Sequence, residues 1–208
     1  MKYLIVGFFA LATSLSSVAQ SKFAIQAGYN HSTARVHTLN VKQPTGYVPG
    51  FNIGARFKTA FEPPLHFVGM VSYNKRGYTL EPLNGAVSKI ETHIHYIDIA
   101  PLLNFDISTG GNHHLSITAG PVMGIALSGR QKITENGVTT SSPMKFSVTN
   151  NYGYASFAIF NGLSYHFNNM FVEASYHLGV SSINNNEEVD ETNIKNRGFG
   201  LTLGYWLK

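Results

Sequence analysis

Cysteine is absent from the 208 residues, so no disulfide framework, thiolate metal site or cysteine nucleophile is available. Charge is scarce as well. Asp, Glu, Lys and Arg make up 12% of the chain, roughly half the globular norm of about 25%, which leaves much of the surface facing something other than water. The 15 basic and 11 acidic residues give a formal charge of +4, but no basic cluster concentrates it, and nucleic acid is not an expected partner. No nucleophile-elbow phrase occurs. Beyond Ala19 there is no apolar run of about 18 residues and no helical periodicity of comparable length, so no transmembrane helix is available there.

What is present begins with a leader. Residues 1–19 carry one basic residue, Lys2, then an apolar run from Leu4 to Leu11 and small residues ending Ser17-Val18-Ala19, the layout of a secretory signal peptide cut after Ala19. The alternative, a membrane anchor, is poorly served because Leu4 to Leu15 is short for about 30 Å of hydrocarbon. The expected organisation is a signal peptide over 1–19 and one β-barrel domain over 20–208.

Residues 20–208 alternate. Phe23, Ile25, Ala27 and Tyr29 fall on one parity and Gln26, Gly28 and Asn30 on the other; Phe51, Ile53, Ala55 and Phe57 oppose Asn52, Gly54, Arg56 and Lys58. Six further segments, starting near Leu65, His93, His114, Tyr154, Met170 and Arg197, bring the strand count to eight. Between them short connections ("AFEPP", "STGGNH", "NN") alternate with long ones (31–50, 77–92, 130–152, 182–196), which puts every long loop at one end. Even strand number, long loops at one end and bulky apolar residues opposed to Gly, Ser, Thr and Asn predict an all-β, eight-stranded antiparallel up-and-down transmembrane barrel, oily side out. A spanning sheet must close, because lipid offers no partner for an unpaired edge. A soluble barrel or sandwich is the competing architecture, and it would place the bulky parity inside. The "ENGV" phrase at 135–138 is a two-residue hairpin signal, so the third long loop is expected to rise as a ribbon; ten strands follow if that ribbon enters the wall. "YIDIAPLLNF" (96–105) is a strand interrupted by proline. A turn centred on Thr109 to Gly111 would bring Pro101 opposite or nearly opposite Pro121 on the same outward face, with a bulge or weakened patch there.

Within such a barrel Arg56, Lys58, Asp98, Asp106 and Glu173 fall on the lumen parity. An eight-stranded interior is just wide enough for side chains to fill, and a lone buried charge is very costly, so these five are the expected site: a structural network of ion pairs that plugs the lumen. A narrow polar cavity for a small ligand is the alternative. Tyr29, Phe57, Tyr73, Phe105, Tyr165, Phe167, Tyr176 and Tyr205 are candidate girdle residues. His93 and His95 share a face but lack a third metal ligand. His113-His114 is expected as a solvated pair in a turn. The acidic run Glu187, Glu188, Asp190 and Glu191 is expected in a solvated loop, cation or partner binding being the alternative. No catalytic residue, metal site or cofactor is expected.

Several phrases, in order and spacing, resemble the PorT-type outer-membrane β-barrel family: "SYNKRGY" (72–78), "HYIDIAPLLNF" from His95, "LSITAGPVMGIAL" from Leu115, "FVEASYHLGVSSI" from Phe171 and the closing "GFGLTLGYW". Two positions depart from the pattern: Ser175 stands where a basic residue is expected before Tyr176, and Leu207-Lys208 follow Trp206 where the family often ends on an aromatic. The resemblance implies location in the outer membrane of a gram-negative envelope but no single biochemical activity. The expected function is structural or interactive, through extracellular loops. Outer-membrane lipids and, through the extracellular loops, other envelope proteins are the expected partners, and a monomer is the expected state. An outer-membrane enzyme acting on lipid or peptide, and a narrow channel or ligand carrier, are the competing functions.

Overall fold

The computed structural model describes residues 21–83, 87–108, 113–149, 151–186 and 191–207. The expected leader over 1–19, the expected turn at 109–111 and the acidic residues Glu187, Glu188 and Asp190 lie outside the described residues. Eight long strands form the wall: β1 Lys22–Thr38, β2 Val48–Glu62, β3 Leu65–Leu80, β4 Val87–Ser108, β5 His113–Glu135, β6 Ala155–Phe167, β7 Met170–Gly179 and β8 Thr192–Trp206. Each pairs antiparallel with the next, β5 joining β6 from Ile125 opposite Ala155 to His113 opposite Phe167. The last strand returns to the first, Trp206 opposite Ala24 and Thr192 opposite Thr38. The ring therefore closes with no free edge in the wall.

The hairpin at Asn136 and Gly137 has both φ angles positive, the backbone a two-residue turn matched to strand twist requires. It folds Val138–Pro143 back on Arg130–Glu135. That ribbon stands above the ring and does not enter it, because β5 has already paired with β6 below. The wall has eight strands, not ten.

Side chains alternate as the pattern requires. Phe23 and Ile25 are 59% and 57% exposed while Ala24 and Gln26 between them are 1% and 5% exposed. The same alternation runs the length of β6. Leaving a Leu, Ile or Phe in water forgoes about 1.5–3 kcal/mol each, so a continuous outer sleeve of such residues identifies hydrocarbon as its solvent. Aromatics gather at two levels. Phe23, Phe57 and Phe67 touch in series near the short-turn end. Phe51 and Tyr73 do so six residues further up the wall, their ring centres 5.8 Å apart.

Three expectations are corrected. The long connections are shorter than the sequence implied, because β1, β4, β5 and β8 continue through stretches taken as loop; β4 and β5 run 22 and 23 residues, about twice a membrane crossing. The interior is not uniformly polar. One buried apolar cluster joins Val68, Met70, Ala100, Leu102, Val122, Ala158 and Phe160 inside the ring, and a second lies at the long-loop end. Finally, His113 and His114 are not a solvated turn pair: they open β5 and point to opposite sides of the wall, His113 toward the Tyr165 hydroxyl (2.9 Å) and His114 stacked on His166.

Pro101 stands opposite Pro121. Ile99 pairs with Met123 and Leu103 with Ala119, and no pair connects the strands between those points. Two prolines at one level remove the donors that would have bridged the gap. Both side chains face outward, so the interruption lies in the lipid-facing wall while β3 and β6 hold each strand from its other side.

Candidate functional site: the lumen and its two ends

Mid-lumen, Arg56 of β2 reaches across the barrel to Glu173 of β7. The guanidinium donates to both carboxylate oxygens at 2.8 and 2.5 Å, and both side chains are 5% exposed or less. Gln26 accepts from the Arg56 Nε, Ser164 donates to Glu173 at 2.9 Å, and Phe171 lies under the guanidinium. Nearer the long loops, Asp98 of β4 accepts from Arg76 at 2.6 Å and from Asn74 at 2.7 Å, with Arg76 over the Tyr96 ring. A Cβ on Gly124 would stand 2.8 Å from Asp98 and 2.9 Å from Arg76, so only glycine leaves room for this pair. Removing one member of such a pair leaves an uncompensated buried charge, at about 3–5 kcal/mol. A cavity of about 30 Å³ remains between the two pairs, space for a water or two and not for a pore.

At the short-turn mouth the arrangement opens. Lys58 donates to both oxygens of Asp106 at 2.7 Å, and His66 approaches the same carboxylate at 3.0 Å. With Lys22, His114, His166 and Trp206 they line a vestibule of about 530 Å³. The five residues expected on the lumen face are thus divided among three pairs: Arg56 with Glu173, Asp98 with Arg76, and Lys58 with Asp106. Arg76 is the member that sequence reading missed. Its parity with Ser72 and Asn74, against Val71, Tyr73 and Lys75, was the available signal.

The vestibule also holds a serine–histidine contact. Ser116 Oγ lies 2.9 Å from His166 Nε2. The indole of Trp206, which can only donate, points its N–H at His166 Nδ1 (3.4 Å). Nδ1 is then the acceptor and Nε2 carries the proton, so the imidazole donates to the serine. An activating base must instead accept the serine proton. His93 bonds Glu91 at 2.7 Å and His95 bonds the Tyr73 hydroxyl. Among the described residues no group of three His, Asp or Glu side chains has metal-ligand geometry.

The long-loop end is closed by a small core. Val36, Tyr78, Ile94, Tyr96, Ile183 and Ile194 are buried together, with Met144, Phe146 and Tyr152 from the third long loop packed against them. Ile183 donates its N–H to the Ile194 carbonyl and Gly153 donates to Ile183, which ties the third and fourth loops to β8.

Residues 16–185 match the model of a family described as outer membrane protein beta-barrel domain. Among solved structures, Ail, the attachment invasion locus protein of Yersinia pestis, is 20% identical, covering 90% of this chain and 99% of its own, with a TM-score of 0.47. The outer membrane protein OprG from Pseudomonas aeruginosa is 10% identical over 90% of this chain and 96% of its own, TM-score 0.49. Neisserial surface protein A is 14% identical over 88% and 96%, TM-score 0.41. No curated protein matches the chain.

Proposed function

Because the chain belongs to the outer membrane protein beta-barrel domain family and so resides in the outer membrane, we propose that it serves the gram-negative cell envelope as a non-catalytic, non-conducting barrel that engages other envelope components through its long loops. In this reading residues 1–19 are a cleaved leader, the chain is of the PorT type, the short-turn mouth faces the periplasm and the long loops face outward. The lumen network of Arg56, Lys58, Asp98, Asp106 and Glu173 is structural, holding the wall and filling the bore. The donor role of His166 toward Ser116 supports the absence of hydrolytic chemistry.

The observation that carries the reading is the long-loop end itself. Its loops are packed on a core of their own, yet Leu39, Leu83, Val138 and Val148 are 64%, 56%, 66% and 83% exposed beyond the upper aromatic level, where no hydrocarbon covers them. A fixed platform carrying apolar side chains suits a partner surface. The test compares wild type with a Val138→Asp, Val148→Asp double variant by in-cell cross-linking and co-isolation of envelope components. Loss of a discrete partner with the barrel still folded is expected; an unchanged cross-linking pattern contradicts the platform. In planar bilayers the protein should give no single-channel steps, and reproducible steps would overturn the filled lumen.

A further inference from the structure

The vestibule at the short-turn mouth carries more positive charge than it answers. Lys22 of β1 and Lys58 of β2 stand directly opposite each other in register, and both line the vestibule. Like charges placed directly across two strands are destabilising. Lys58 is answered, because it donates to both oxygens of Asp106 at 2.7 Å. The same carboxylate also meets His66 at 3.0 Å. Lys22 has no such partner: among the described residues no carboxylate stands within 4 Å of it, and Glu62, the other acid at this end, is not part of the vestibule lining. Two ammonium groups against one carboxylate leave one positive charge over.

The imidazoles divide in the same way. His166 is fully engaged, with one ring nitrogen on Ser116 and the other accepting from Trp206. His114 stacks on it, ring centres 4.2 Å apart and planes within 6°, which holds the His114 ring in place. Yet the Nε2 of His114 lies 3.9 Å from Asp106, beyond hydrogen-bond reach. An unanswered ammonium and an unanswered ring nitrogen therefore share one concave space. That space, about 530 Å³, falls within the range of about 300–1,000 Å³ typical of small-molecule sites, which pair apolar walls with a few placed polar groups. Ala60, Trp206 and Leu207 supply the apolar part of the lining.

We propose that the vestibule binds the carboxylate of a small organic acid, with Lys22 as its charge partner and His114 as its hydrogen-bond donor. One surplus positive charge matches a monoanion, and Asp106 beside it repels a second negative charge on the ligand. The volume left beyond the carboxylate takes an apolar body against Trp206 and Leu207. The site goes beyond the role given to the long loops above. It lies inside the bore, so it does not depend on which end faces outward.

Trp206 is the single tryptophan of the chain and lines the site, so its emission reports occupancy. The test titrates the full barrel, in nanodiscs of zwitterionic phospholipid at constant ionic strength, with butanoate, with its neutral isostere butanamide, and with inorganic phosphate. Butanoate is expected to give a saturable change in emission and butanamide none. Lys22→Gln should weaken butanoate binding about fivefold and Lys22→Glu about twenty-fivefold, one such factor for each unit of charge. His114→Phe keeps the stacked ring, removes the donor and should weaken binding about fivefold. Loss of fold is separated by unfolding midpoints. Without ligand, Lys22→Glu should unfold at or above the wild-type midpoint, since it replaces repulsion from Lys58 by attraction; butanoate should raise the midpoint of wild type and not of this variant. No saturable response to butanoate, an equal response to butanamide, or wild-type affinity in Lys22→Glu overturns the proposal. Saturation by phosphate without any by butanoate overturns the carboxylate class, and wild-type affinity in His114→Phe overturns the role of the imidazole.

Discussion

The two ends of this barrel solve the same problem with different chemistry. At the long-loop end the bore is closed by hydrocarbon: Tyr78, Ile94, Ile183 and Ile194 interlock beneath residues supplied by the loops. At the short-turn end it widens into a vestibule whose ion pair, Lys58 with Asp106, is 11% and 23% exposed. Between them the Arg56–Glu173 and Arg76–Asp98 pairs are nearly dry. A closed end needs no solvent and can hold loops in place, whereas an open one leaves Asp106 partly in contact with water and gains less from pairing its charges. The difference teaches that burial, and not the number of ion pairs, sets where this lumen is stiff.

The strongest blow to that contrast falls mid-lumen. Glu173→Ala, which strands Arg56 among buried groups, should cost about 3–5 kcal/mol in denaturant unfolding from lipid vesicles, and a loss under about 1 kcal/mol would show that water reaches the pair. Ile183→Ala removes a side chain 1% exposed from the upper core and is expected to cost about 2–5 kcal/mol. It should also raise proteolysis within 136–154, so a stable variant with protected loops would mean the cap is held by the backbone alone. By contrast Lys58→Met at the half-open mouth, where His66 still faces Asp106, should cost about 1.5–3 kcal/mol; a drop as large as that of Glu173→Ala would erase the distinction between the regions.

The smallest effect is a pH response above the membrane. The His93 side chain, hydrogen-bonded to Glu91, holds that carboxyl below the usual carboxylate range against partial burial, with Lys132 assisting. A carboxyl depressed in the folded state contributes stability above its unfolded value and loses it as pH falls through the folded one. Hydrogen-exchange protection in 87–93, taken relative to the intrinsic amide rate at each pH, should therefore fall modestly between about pH 6 and about pH 3, while protection at Val36 and Ile194 is retained. No change in 87–93 would place its order elsewhere.

The wall was legible because its solvent imposes a period of two: Leu115, Ile117 and Ala119 against Ser116, Thr118 and Gly120 need no tertiary knowledge to be sorted. The proline level could be placed as well, since a tight turn fixes register from the hairpin outward. Strand ends were not legible. Once β4 and β5 leave the membrane both faces meet water or protein, and a stretch such as Ser88 to His93 loses the alternation that marks a crossing. Partners across the lumen were hidden for a further reason. Arg56 and Glu173 lie 117 residues apart, and which carboxylate a cation meets depends on the stagger of the whole ring.

The sequence by itself determined which side of the sheet faces lipid, that the sheet must close, and that the charges on the inner parity need company, because a bilayer tolerates neither exposed backbone nor isolated buried charge. Only the closed structure decided that Arg76 completes Asp98, that Trp206 sets the proton on His166, that loop residues Met144 and Phe146 seal one mouth, and that Lys22 faces Lys58. Each of these is a contact between strands whose relative height is fixed by the shear of the ring, a property of all eight strands together and of no single segment.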